Sequence, residues 1–260
     1  MTRIGVASSV SREAAIYSNI LIGIDGRAGG RDAVALATRL AAPGASFALA
    51  HVDAGPFSWH RHYLGEERVF DRSASMLAAE RERAQIPAAI VCVGGRPPAR
   101  GLHDLARERA ADLIVVGSSR HTLLGRMLLG DDARESLGGA PCAVAIAPPG
   151  YAESSSPLVE IGVAYDGSPD SEHALSTARG LASCSGANIR CLRTKNVDGE
   201  PSNELSRVSS ELDLLIVGAS VDGSLGRMGH GVSRHPAGCA ACPLLVLGPE
   251  VSAGASIRAA

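Results

Sequence analysis

Ile20-Leu21-Ile22-Gly23-Ile24-Asp25-Gly26 is a short apolar run that stops at an aspartate and a glycine. It returns as Ile161-Gly162-Val163-Ala164-Tyr165-Asp166-Gly167. Each copy reads as a strand buried on both faces, the pattern of a parallel sheet. Helix-like sequence follows each one, with Ala33 and Ala174 at the same offset from the aspartate.

Working outward, three more matches recur in the same order. Ala111-Asp112-Leu113-Ile114-Val115-Val116-Gly117-Ser118-Ser119 returns as Leu212-Asp213-Leu214-Leu215-Ile216-Val217-Gly218-Ala219-Ser220. Leu124-Gly125-Arg126-Met127 returns as Leu225-Gly226-Arg227-Met228 at unchanged spacing from the preceding glycine. Cys142 and Cys242 each sit beside a proline and an apolar strand ending at Pro148 or Pro249. Four ordered matches are a duplication. Residues 150–157, rich in Pro, Gly and Ser together with the prolines before them, read as a linker. The expected organisation is a first domain over 1–149, the linker at 150–157, a second domain over 158–250 and a tail at 251–260.

In the first copy, strands are expected near 19–24, 46–52, 88–93, 112–117 and 142–147. Helices are expected near 30–41, 66–84, 98–110 and 131–138, with Val69, Phe70, Ser73, Leu77 and Ala84 sharing one face of the second. Alternating strands and helices predict an α/β fold, a doubly wound parallel sheet in each copy. The second copy is shorter. Asp25 and Asp112 stand 87 residues apart, but Asp166 and Asp213 only 47. A strand near 188–194 runs almost directly into Gly199-Glu200-Pro201 and a following helix, so one strand and one helix are missing. In a strand order 3-2-1-4-5 the loss falls on an edge, which a sheet survives.

Composition narrows the function classes. A net charge of −2 supplies no electrostatic reason for a nucleic-acid partner. No apolar run approaches the ~20 residues that span a bilayer, and the apolar segment near the amino terminus is too short for a secretory signal. The expectation is a cytoplasmic protein with no membrane partner and six reduced cysteines.

At these motifs the chain resembles the universal stress proteins. Tyr17 to Gly26 is similar to the family's opening strand, and Asp112 to Ser119 with Pro141-Cys142-Ala143-Val144 to its later strands. Asp166-Gly167-Ser168-Pro169 is closer still. The resemblance implies a five-stranded, adenine-nucleotide alpha-hydrolase-like fold and dimerisation through the last strand. In one subgroup it implies ATP binding through Gly, two residues, Gly, nine residues, Gly, then Ser or Thr. Here Gly117 and Gly130 keep the outer spacing, while Arg120 and Asp131 replace the other two positions. In the second copy Gly218 and Gly231 keep it, with Val221 and Val232 substituted, and Ser233 follows.

By the same resemblance Asp25 and Asp166 face ribose hydroxyls, at strand ends where parallel sheets bind ligands. The alternative is that each Asp-Gly only makes a turn. Val52 matches the position whose backbone reads adenine, with Arg193 as its counterpart. Gly117 and Gly130 either admit phosphate to backbone N–H groups or are turn glycines. Asp132 and Glu135 read as a capping box that occupies the donors a phosphate needs. ATP is thus a candidate ligand at a weak or vestigial site, and an ATP-binding switch with slow hydrolysis is the alternative.

His230, His235, Cys239 and Cys242 form a string that invites a zinc reading. Cys242 matches Cys142, however, which has no such neighbours, and the expectation is no metal. Trp59-His60-Arg61-His62-Tyr63 falls in a long loop and reads as a surface cluster. No Ser-His-Asp order or carboxylate pair stands out, so no enzyme is expected. The partners expected are the second copy, packed as an intramolecular pseudo-dimer through strands 142–147 and 244–247, and an unidentified protein; a homodimer is the further option.

Overall fold

A computed structural model describes residues 17–53, 66–118, 120–121, 127–128, 139–154, 157–193, 208–218 and 240–248. The first half runs β1 (Tyr17–Gly23), α1 (Gly29–Leu40), β2 (Ala41–Asp53), α2 (Glu66–Ala84), β3 (Ala88–Gly94), α3 (Pro98–Glu108) and β4 (Leu113–Gly117). A two-residue ribbon follows, β5 (Arg120–His121) with β6 (Met127–Leu128), then β7 (Ala143–Ala147). The second half holds β8 (Glu160–Tyr165), α4 (Pro169–Ser185), β9 (Asn188–Arg193), β10 (Leu214–Gly218) and β11 (Leu244–Leu247).

Nine of these strands form one sheet in the order β3-β2-β1-β4-β7-β11-β10-β8-β9. The first five stand in the 3-2-1-4-5 order, and the last four mirror it without a third strand. The shortfall between Asp166 and Asp213 therefore removes an edge strand among the described residues. All pairings within each half are parallel. The halves join by a single antiparallel pairing, β7 with β11, setting Leu244 opposite Ile146, Leu245 opposite Ala145 and Val246 opposite Val144.

Strand alternation sorts the core into two layers. Ile20 and Ile22 of β1 face α1 together with Leu113, Val115 and Leu49, and that layer continues through Ala145 and Leu245 to Ile161 and Val163. Leu21, Ile114 and Val116 face α3 on the other side, and their layer runs through Ile146 and Leu244 to Leu215. Leu244 and Leu245 are fully buried. Burying a leucine stabilises by about 1.5–3 kcal/mol, so β11 closes an apolar edge that β7 would otherwise expose.

The repeated aspartates of the Asp-Leu motifs have a structural role in both halves. Asp112 accepts the N–H of Ser18 at 2.7 Å and of Asn19 at 3.0 Å, and Asp213 accepts the N–H of Val159 at 2.8 Å and of Glu160 at 2.9 Å. Each carboxylate fixes the start of the first strand of its half. Such N–H groups precede the ladder and would otherwise lack partners.

Some elements differ from their expected limits. α1 ends at Leu40, because Pro43 disfavours helical geometry just before it and Ala41 is already extended. β2 consequently begins at Ala41, with a register break opposite Tyr17 and Asn19. α3 stops at Glu108, and Ala110 takes a positive φ of 49°. On α2, Ser73 and Leu77 are buried but Phe70 is 38% exposed. The helical period sets a residue's angular position and not how far along the axis packing extends. The helix expected at 131–138, the loop at 59–63 and the helix after Pro201 lie outside the described residues.

Candidate functional site

The order of the first half reverses between β1 and β4, and the crevice outside the carboxyl ends of those strands is where such sheets bind ligands. A cleft lies there. Gly23, Asp25, Gly29, His51, Val52 and Gly117 line it, and Leu102 of α3 forms a wall. Asp25, Val52 and Gly117, three positions singled out from the sequence, thus come together. Its volume is about 100 Å³, below the ~300–1,000 Å³ of ordinary ligand pockets.

Asp25 faces this cleft, but its carboxylate is engaged locally. It accepts the N–H of Arg27 at 2.9 Å and lies 3.5 Å from the Arg27 guanidinium. Asp166 does the same in the second half, accepting the N–H of Ser168 at 2.9 Å. Both are Asx turns, and the glycine after each takes a positive φ, 81° at Gly26 and 78° at Gly167. The repeated Asp-Gly therefore makes a turn in both copies. Asp25 still presents a carboxylate edge to the cleft.

Gly117 has a role that spacing alone did not reveal. A Cβ there would stand 2.0 Å from the carbonyl oxygen of Gly29, at the start of α1. At Gly218 a Cβ would stand 2.3 Å from the carbonyl oxygen of Asp170, at the start of α4. The two glycines let a helix start abut the end of a strand. Neither phosphate contact nor turn geometry is needed to explain them.

Val52 packs against α3, where a Cβ on Gly101 would meet its Cγ1 at 2.5 Å. Its expected counterpart, Arg193, is corrected by one residue. Gly23 pairs with Ala50 and Ala164 with Leu192, so Arg193 matches His51. The position matching Val52 is 194, outside the described residues. His51 itself was missed by the sequence reading, although it adjoins Val52. Its Nδ1 donates to the carbonyl of Ile24 at 2.7 Å, so in the neutral ring Nε2 is left as an acceptor.

Arg120 stands on β5, paired in the backbone with Leu128. Gly130, Asp131, Gly231 and Ser233 lie outside the described residues, as do Asp132 and Glu135. Of the zinc string, His230, His235 and Cys239 lie outside them too. Cys242 is buried among Leu215, Leu244 and Val246, and burial pushes its thiol up to about 12. Burial, then the charge of Asp112, raises Cys142 to about 11. Cys242 is thus a protonated core thiol, and Cys142 a partly buried one packed against the same core. No helix among the described residues is long and apolar enough to cross a membrane.

Architecture and cleft together define a doubly wound α/β protein with a crevice at its switch point. The family model for the universal stress protein family matches residues 16–148, and the chain belongs to that family. A universal stress protein from Archaeoglobus fulgidus DSM 4304 is similar over 91% of this chain and 98% of its own, at 16% identity and a TM-score of 0.69. A universal stress protein from Pseudomonas aeruginosa UCBPP-PA14 covers 90% of this chain and 94% of its own, at 14% identity and a TM-score of 0.60. At such identities these likenesses show the fold, here of both halves in tandem. No curated protein matches the chain.

Proposed function

We propose that this chain is a regulatory binding module of the stress response, without catalytic turnover, whose first half keeps a weak or vestigial nucleotide cleft. The observation that carries the reading is the cleft at the β1/β4 switch point, which gathers Asp25, Val52 and Gly117 but has little room. Its other supports point the same way. Asp25 is held by its own turn, Gly117 serves helix packing, and Arg120 stands where ATP-binding relatives carry glycine. The β7–β11 pairing occupies the strand through which, by resemblance, single-domain members dimerise, so the chain supplies its own partner. A cytoplasmic setting and an unidentified protein partner complete the proposal.

Calorimetry with ATP tests it. The expected result is no binding or millimolar affinity, with no nucleotide released from the denatured protein. Micromolar affinity would favour the second reading, an ATP-binding switch with slow hydrolysis, for which the convergence of Asp25, Val52 and Gly117 speaks.

A further inference from the structure

A second cleft opens between α1 and α2, beside the turn that follows Asp25. Its volume is about 450 Å³, several times that of the switch-point cleft. Ile24 and Met76 contribute apolar wall, and three arginines line it: Arg27, which is paired with Asp25, Arg31 and Arg83. Glu80 is the one carboxylate in the lining and pairs with Arg83. Among the described residues no ion pair or hydrogen bond engages the side chain of Arg31.

The placement of Arg31 is electrostatically unfavourable. Arg31 stands in the first turn of α1, where the helix dipole disfavours a cation, while Arg27, just before the helix, is paired with Asp25. The one acid of that first turn, Asp32, gives no relief, because its carboxylate is turned to the backbone of Gly150 and Ala152. All three arginines are solvent-exposed, but they line one concave space, where an anion would pair with Arg31 and accept guanidinium N–H donors. Guanidinium forks match phosphate oxygens bidentately.

We propose that the cleft between α1 and α2 is an anion site that takes small ligands of the phosphate class through Arg31 and Arg83. The site adjoins the switch-point cleft, sharing Ile24 and Arg27 with it, but Arg31 and Arg83 lie outside that cleft, and the proposal does not depend on nucleotide binding there. Arg27 lines both clefts, so it is left unaltered in the test.

Inorganic pyrophosphate is the probe, titrated calorimetrically into the full-length protein at low salt. The expected result is saturable binding that weakens with added salt. Arg31→Gln and Arg83→Gln should each reduce affinity at least tenfold, with melting temperatures close to wild type. Glu80→Gln should tighten binding, because it removes the competing carboxylate and frees Arg83. That gain separates a ligand site from a structural one, since breaking a structural ion pair improves nothing. The proposal is overturned if wild type does not bind, if the arginine variants bind as wild type does, or if Glu80→Gln weakens binding. Should an arginine variant fail to fold, the Glu80→Gln result decides alone.

Discussion

The carboxylate of Asp32, buried on α1, accepts the backbone N–H of Ala152 at 2.8 Å and that of Gly150 at 3.0 Å. A helix of the first half thereby holds the turn at Tyr151–Glu153 that leads into the second half, and on the same helix Arg39 lies 6.0 Å from the Tyr151 ring centroid. Removing the acceptor strands two N–H groups in a partly buried setting. Asp32→Ala should cost roughly 2–4 kcal/mol in denaturant unfolding. Asp32→Asn, which keeps an acceptor oxygen, should cost less. A loss below about 0.5 kcal/mol for the alanine variant would show that the turn is held by other contacts.

The junction can be tested by cross-linking. Ala145 and Leu245 stand directly opposite, so their Cα atoms lie about 4.5–5.5 Å apart, within disulfide range. With the native cysteines replaced by serine, Ala145→Cys with Leu245→Cys should oxidise to an intramolecular disulfide, seen as a two-proton mass loss in the monomer. Persistent free thiols, or cross-linked dimers only, would refute the pairing.

Gly117→Ala and Gly218→Ala should be similarly damaging. Each places a Cβ far inside contact distance of a backbone oxygen, which cannot rotate away. Each should lose about 2–3 kcal/mol or more of stability. Were Gly117→Ala to leave the melting temperature unchanged while altering ligand binding, the glycine's main role would be at the cleft.

Alkaline pH should destabilise the fold. In the folded chain Cys142 titrates near 11 and Cys242 near 12, both raised above the usual 9.0, and burial also raises Tyr17. Above pH 9 the unfolded chain releases thiol protons that the folded chain keeps, so stability falls as pH rises from about 9 toward 12. Melting temperatures across pH 8 to 10.5 should decline, and Cys242→Ala should flatten the decline. At pH 8 a maleimide should label exposed Cys184 and Cys191 before partly buried Cys142 or buried Cys242. A flat profile, or early labelling of Cys242, would contradict the burial assigned to it.

If the altered glycine motif is what weakens the nucleotide cleft, restoring it should strengthen binding. Arg120→Gly with Asp131→Ser replaces a charged pair of positions by the residues found in ATP-binding relatives. It also removes a carboxylate that would repel a triphosphate. ATP affinity in calorimetry should rise at least tenfold over wild type. An unchanged affinity would place the obstacle elsewhere, most simply in the narrowness of the cleft.

Much of the architecture was legible in the chain itself. Buried apolar runs ending at Asp-Gly, repeated in order, specify strands of a parallel sheet, because period and turn chemistry are local properties. The short spacing between Asp166 and Asp213 announced a missing strand, because a crossover needs a minimum length of chain. What only the tertiary structure decided involves partners far apart in sequence. Asp32 and Gly150 are separated by 118 positions and Ser18 and Asp112 by 94, and no local pattern tells a carboxylate which distant N–H it will meet. The same holds for Gly117, whose spacing suggested phosphate and whose position shows a helix start pressed against it. It holds too for Arg27, Arg31 and Arg83. They are up to 56 positions apart, and only the packing of α1 beside α2 brings them to one cleft.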